Sequence, residues 1–185
     1  MEQIKVIFFA LASFFGIEDG RIAADATTVT INPQKKEIVI IQEDLFSVIQ
    51  NEKDKAIALV QWDALLHYKE LNMTWAKELA SLESKTLIIS PKKDIIQPRL
   101  TFTYTNEKDL RGLGIWYNAE KDEFSINHVP RYNLSTDNGH LSGNYWVFQG
   151  NKTFSFTLQP FLEMPEQYKN FKQPISELLL LSEKK

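Results

Sequence analysis

The sequence predicts an α+β fold, in which an antiparallel meander sheet of seven or eight strands, strongly curved or barrel-like, packs against two central helices. One observation is the strict alternation of apolar and hydroxyl-bearing residues in Leu100–Thr105 and Phe154–Leu158. Another is the turn chemistry between successive apolar runs, such as Asn138-Gly139. The third is the stretch Asp54–Leu71, which lacks glycine and proline and repeats its apolar residues at helical spacing.

The strands are predicted from this alternation and from the turn residues that bound each run. Because most are joined by short turns, neighbours along the chain are expected to pair. The predicted strands are Thr27–Ile31, Glu37–Gln42, Thr86–Ser90, Leu100–Thr105, Gly114–Tyr117, Glu123–His128, Ser142–Gln149 and Thr153–Gln159.

Two helices are predicted within Asp54–Leu82. In Asp54–Leu71, apolar residues leave only a narrow polar sector, which predicts a helix enclosed on several sides and laid across the sheet. In Trp75–Leu82, the residues Trp75, Leu79 and Leu82 follow the i, i+4, i+7 spacing of a helix face.

Composition and charge restrict the class of protein. The chain has 185 residues, enough for one domain with a proper core, and its formal charge of −3 gives no basic field for nucleic acid. The absence of cysteine excludes disulfides, thiolate nucleophiles and cysteine-ligated metal centres. Residues 27–185 are therefore expected to form a single α+β domain that binds no nucleic acid.

The amino terminus is predicted to be a signal peptide. Lys5 precedes Val6–Ile17, an uncharged apolar stretch too short to span a bilayer, and Ala24-Asp25-Ala26 offers a small-residue cleavage site. Removal of residues 1–26 would leave a periplasmic or secreted bacterial domain with no transmembrane segment. The alternative is that residues 4–17 form a retained N-terminal helix of a cytoplasmic protein.

One helix edge could hold a metal. Asp63, His67 and Glu70 share one side of the predicted helix, as carboxylate and imidazole ligands do in helical metal sites. The same spacing is typical of the solvated edge of an enclosed helix, so no metal or cofactor is predicted. His128 is expected at the core rim and His140 is expected to be exposed.

Several aromatic residues suggest a ligand surface. Trp116 and Trp146 are each flanked by large residues on the opposite strand face, so both faces of those strands are apolar. The favoured interpretation is that the long helix covers the second face. If that face is open, Trp116, Tyr117 and Trp146 with Thr101 and Thr103 would form a surface for a sugar or a hydrophobic ligand.

No catalytic motif supports an enzyme. No serine lies in Gly-x-Ser-x-Gly or Ser-x-x-Lys, and no glycine cluster resembles a phosphate-binding loop. The first hypothesis is an exported, non-enzymatic bacterial domain that binds a partner protein or a small apolar ligand. The alternatives are a metal-dependent hydrolase using Asp63, His67 and Glu70, and a cytosolic interaction or immunity-type protein.

Overall fold

Two antiparallel sheets build the fold, which a computed structural model describes for residues 5–92, 95–127 and 129–183. The strands are β1 Ala23–Asn32, β2 Glu37–Val48, β3 Glu83–Lys92, β4 Ile95–Thr103, β5 Ile115–Asn118, β6 Glu123–Asn127, β7 Leu134–Ser135, β8 Gly139–Ser142, β9 Tyr145–Gln149, β10 Phe154–Leu158 and β11 Lys172–Pro174. The first sheet has the strand order β3-β4-β2-β1-β10-β7, with β11 pairing with β2, and the second sheet has the order β5-β6-β9-β8.

The predicted α+β class with antiparallel strands is confirmed, but the predicted single barrel-like sheet is not. The strands divide into sheets of seven and four strands, and neither strand order closes on itself in the described part of the chain. The meander is also interrupted, because β1 pairs with β10 from the far end of the chain, with Thr27 opposite Leu158. Hydrophobic periodicity predicts where a strand lies but not which distant strand it pairs with.

The predicted alternation places the core of the first sheet correctly. Phe102 and Phe156 are 0% and 1% exposed, and Val29, Ile40 and Leu100 pair across three strands on the same inner face. The opposite face carries the partly exposed hydroxyl residues.

The second sheet packs its inner face on β10 of the first. The ring of Phe148 stacks on Phe154 with centroids 4.5 Å apart, and the ring centroid of Phe124 lies 5.4 Å from that of Phe154. A second sheet therefore fills a position that the sequence assigned to a helix.

The helix α1, Glu52–Leu66, is shorter and more exposed than expected. It begins at Asn51, whose side chain accepts a hydrogen bond from the backbone N–H of Asp54 at 3.0 Å. Its buried residues are Ala58, Trp62 and Leu65, whereas Val60 is 69% exposed. The prediction of a helix enclosed on several sides is therefore wrong.

The second predicted helix is also wrong in extent. Within Trp75–Leu82 only Lys77–Leu79 is helical, as a short 3₁₀ turn. The aromatic Trp75 instead stacks on Phe15, with ring centroids 4.5 Å apart. Trp75 therefore packs against the amino-terminal segment.

That segment, residues 5–22, packs on the inner face of the first sheet. It contains two 3₁₀ helices, Val6–Phe8 and Leu11–Phe15, and leads directly into β1. Leu11, Phe14 and Ile22 are each fully buried, and the ring of Phe14 stacks on Phe102 at 6.2 Å between centroids. The backbone N–H of Ala24 donates to the carbonyl of Phe9 at 2.8 Å, which fixes the segment beside β1.

The carboxyl-terminal region contains the short helix α2, Glu166–Lys169, and the helix α3, Ile175–Glu183. Within the described residues, no helix has both the length and the apolar character needed to cross a bilayer. The predicted position of His128 lies outside the described residues.

Candidate functional site

A cavity of about 460 Å³ lies where the amino-terminal segment meets the edge of the second sheet. The 3₁₀ helix Glu107–Leu113, strands β5 and β6, and the end of β10 complete its wall. The apolar part of the wall is buried and consists of Phe8, Leu113, Ile126, Val129 and Leu158.

The rim of this cavity carries two cations. The ammonium of Lys5 donates to the backbone carbonyl of Gly112 at 3.0 Å, and the guanidinium of Arg111 lies 4.9 Å from the centroid of the Trp116 ring. Lys5, Arg111 and Trp116 are exposed, in contrast to the buried apolar wall. The cavity thus combines an apolar interior with a cationic, aromatic rim.

Local sequence explains how this rim is positioned. Asn106 and Asp109 form a capping box at the start of the Glu107–Leu113 helix, and Gly114 ends it with a φ of 76°. A Cβ at Gly112 would lie 1.9 Å from the carbonyl oxygen of Glu78. The helix therefore packs directly on the backbone of Glu78, and only glycine, which has no Cβ, fits at this position. A Cβ at Gly114 would lie 3.2 Å from Cε of Lys5, so the lysine chain crosses the helix end closely.

Asn127 contributes a polar group to the wall. Its side-chain Oδ1 is buried and accepts no hydrogen bond from the described residues. An unmet buried acceptor is unusual in a native protein. A ligand N–H or O–H in the cavity could donate to this oxygen.

Of the five residues predicted to form a ligand surface, Trp116 lines this cavity. Trp146 lies on the opposite, inner face of the sheet, where it is 8% exposed and its Nε1 donates to the carbonyl of Val129 at 3.1 Å. It therefore supports the backbone of a wall residue and does not itself line the cavity. The favoured expectation that the long helix covers Trp116 is wrong, because this side chain is 45% exposed.

Tyr117 lies beside the β5–β6 turn. Its hydroxyl donates to Oδ1 of Asp122 at 2.7 Å, and this hydrogen bond, followed by desolvation and the carboxylate charge, raises the pKa of Tyr117 above its ordinary value. The interaction ties β5 to the turn that follows it.

Thr101 and Thr103 lie elsewhere, in β4 of the first sheet. Both are partly exposed on the face turned away from the core, with Thr101 between Thr86 and Val39 of the adjacent strands. The structure therefore does not bring the five predicted residues together on one surface. Whether any of them binds a ligand stays a prediction.

Sequence reasoning missed Lys5, Phe8 and Arg111 as lining residues. Lys5 and Phe8 lie in the predicted signal peptide, and Arg111 follows a polar Glu-Lys-Asp string that is typical of a turn. The closest available signal is Gly112-Leu113-Gly114 between the arginine and Trp116, which indicates a tight backbone approach but no ligand.

The residues considered as metal ligands do not form a metal site. Asp63 is in α1, His67 caps its end, and Glu70 follows in an exposed turn. Nδ1 of His67 lies 2.9 Å from the backbone oxygen of Asp63 and 3.4 Å from Oδ1 of the Asp63 side chain. The described ranges contain no group of three or more histidine and acidic side chains arranged to hold a metal ion.

A second cavity, of about 470 Å³, lies beside the β8–β9 hairpin and includes His140 and Asp137. Its lining is rich in polar and charged side chains, among them Glu123, Gln149 and Lys152. This polar lining differs from the apolar wall and cationic rim of the first cavity.

Comparisons of the chain with protein-family models, curated proteins and solved structures find no match.

Proposed function

We propose that this protein is a binding protein that takes a small apolar ligand into the cavity between the amino-terminal segment and β5–β6. The observation that carries the proposal is the cavity of about 460 Å³ with five buried apolar wall residues. Small-molecule sites are typically apolar concavities of roughly 300–1,000 Å³ with a few polar groups that set orientation. In this cavity Asn127, Lys5 and Arg111 would supply those polar groups.

The position of Trp116 supports the same conclusion. A tryptophan that only stabilised the core would bury its ring, but the Trp116 ring is 45% exposed and contacts Arg111 at the rim. Because Trp116 lines the cavity, its exposed ring is positioned to contact a bound ligand.

We further propose that residues 5–26 stay in the functional protein. Cleavage after Ala26 would remove Lys5 and Phe8 from the cavity and the first four residues of β1. It would also remove Phe14 from its stacking contact with Phe102. These contacts favour a retained segment, and with it the non-exported alternative, over the predicted signal peptide.

The proposal can be tested with N-phenyl-1-naphthylamine, a neutral apolar dye whose fluorescence rises on entering an apolar site. We expect saturable binding by the purified full chain. The variant Val129→Phe should weaken dye binding at least severalfold, since Val129 lines the cavity and the larger ring would fill it.

The matched control is Val147→Phe, the same change on β9, where Val147 pairs with Ser125 on the outer face of the second sheet. It should leave dye binding unchanged. Equal dye affinity for Val129→Phe and the unchanged protein, with both folded by circular dichroism, would contradict the proposed site.

A further inference from the structure

Building on the proposed function, we infer that the ligand is an apolar organic anion, with a carboxylate or phosphate head bound by Arg111 and Lys5 at the rim. Among the described lining residues there are two cations and no aspartate or glutamate. This local excess of positive charge runs against the chain as a whole, whose formal net charge is −3.

The acidic residues nearest to Arg111 in sequence are engaged with other groups. Oδ2 of Asp109 accepts hydrogen bonds from the backbone N–H groups of Thr105 and Asn106, at 3.2 and 2.8 Å. Glu107 forms an ion pair with Lys36. Within the part of the chain that the structure describes, Arg111 has no carboxylate partner.

The ring contact also orients Arg111. Its guanidinium lies over the face of Trp116, 4.9 Å from the ring centroid. A cation–π contact uses none of the guanidinium N–H donors in a hydrogen bond, so they remain available to a ligand. Those N–H groups match the paired oxygens of a carboxylate or phosphate, which arginine binds in a bidentate manner.

Lys5 supplies the second charge. One of its ammonium donors reaches the carbonyl of Gly112 at 3.0 Å, which holds the side chain at the rim. An ammonium has three donors, so others are left for a ligand oxygen. An anion placed here would keep its head at the exposed rim and its apolar body against the buried wall.

The test compares three probes of equal chain length, octanoate, octyl phosphate and 1-octanol, each titrated into the purified full chain by calorimetry. We expect at least one of the two anions to bind about tenfold more tightly than 1-octanol, because hydrogen bonds to charged groups contribute at this level. The stronger of the two anions then identifies the head group.

The variant Arg111→Gln should lower the ratio of anion affinity to 1-octanol affinity about tenfold, because it removes the guanidinium that would bind the anionic head. The matched control is Lys108→Gln, which makes the same change in net charge on the same 3₁₀ helix, at an exposed residue outside the cavity lining. It should preserve the preference.

Two results would overturn the inference. One is equal affinity of the unchanged protein for 1-octanol and both anions, in which case the proposed apolar site stands and only the head-group assignment fails. The other is an equal loss of anion preference in Lys108→Gln and Arg111→Gln, which would indicate general charge attraction. Failure of every probe to bind, together with no dye binding, would instead contradict the proposed function itself.

Discussion

The buried hydroxyl of Thr27 in β1 donates a hydrogen bond to the backbone carbonyl of Phe8. The same carbonyl accepts a second hydrogen bond from Nε2 of Gln42 in β2, at 3.2 Å. Both polar side chains are 0% exposed on the inner face of the first sheet. They therefore bind the backbone of the amino-terminal segment at the point where Phe8 enters the cavity wall.

We predict that Thr27→Val destabilises the protein by about 1 kcal/mol, since it removes a buried hydrogen bond with little change in shape. Thr30→Val, the same change on the outer face of β1, should shift the free energy of unfolding by less than about 0.5 kcal/mol. Urea unfolding followed by circular dichroism measures both. Equal stabilities of the two variants would show that Thr27 does not hold the segment.

A larger loss is expected from Phe14→Ala. Phe14 is fully buried and stacks on Phe102, so its truncation should cost about 3–5 kcal/mol through lost burial and the cavity left behind. Phe171→Ala is the control, because that side chain is 39% exposed. If thermal unfolding places the two variants at the same midpoint, the amino-terminal segment is not part of the core.

Gly112→Ala tests the close approach that positions the rim. The added methyl would lie 1.9 Å from the carbonyl oxygen of Glu78, a backbone atom that cannot move aside cheaply. Overpacking of this kind costs about 1–3 kcal/mol. Gly20→Ala places its methyl at ordinary contact distance, 3.5 Å from Cβ of Ala12, and should be tolerated in the same unfolding experiment. A Gly112→Ala protein as stable as Gly20→Ala would contradict the described packing.

Tyr104 should make stability fall at alkaline pH. Burial raises the pKa of Tyr104 from 10.0 to about 12. Between these values the unfolded chain has lost a proton that the folded chain keeps, so the stability present below pH 10 is lost progressively up to pH 12.

Tyr104→Phe should therefore lose less stability across this range than the unchanged protein. At neutral pH it should be equally stable or more stable, because the buried Tyr104 hydroxyl has no hydrogen-bond partner among the described residues. Tyr132→Phe changes a residue that is 58% exposed, so this variant should lose as much stability at alkaline pH as the unchanged protein. Urea unfolding at several alkaline pH values measures the free energy of unfolding as a function of pH. The same slope of this free energy against pH in all three proteins would contradict the effect assigned to Tyr104.

The predictions that hold are those that depend on local pattern. Alternation in β10 correctly buries Phe154, Phe156 and Leu158, because strand side chains point to opposite faces with a period of two. The helix around Trp62 was found from its spacing and from the absence of breakers.

The predictions that fail depend on contacts between distant parts of the chain. The apolar residues of α1 indicated an enclosed helix, but Val60 faces solvent, and single exposed apolar residues are common in proteins. The cavity was also missed, since its wall joins Phe8 to the distant Leu158. The signal peptide stays a prediction, because an apolar run such as Val6–Ile17 has the same pattern in a signal peptide and in a core segment.

The amino-terminal segment contributes buried side chains to the core and supplies Lys5 and Phe8 to the cavity. The most direct test is the intact mass of the folded protein purified from its native host. We predict a mass that includes residues 5–26. A mature chain beginning at Thr27 would contradict both the core assignment of the segment and the proposed cavity.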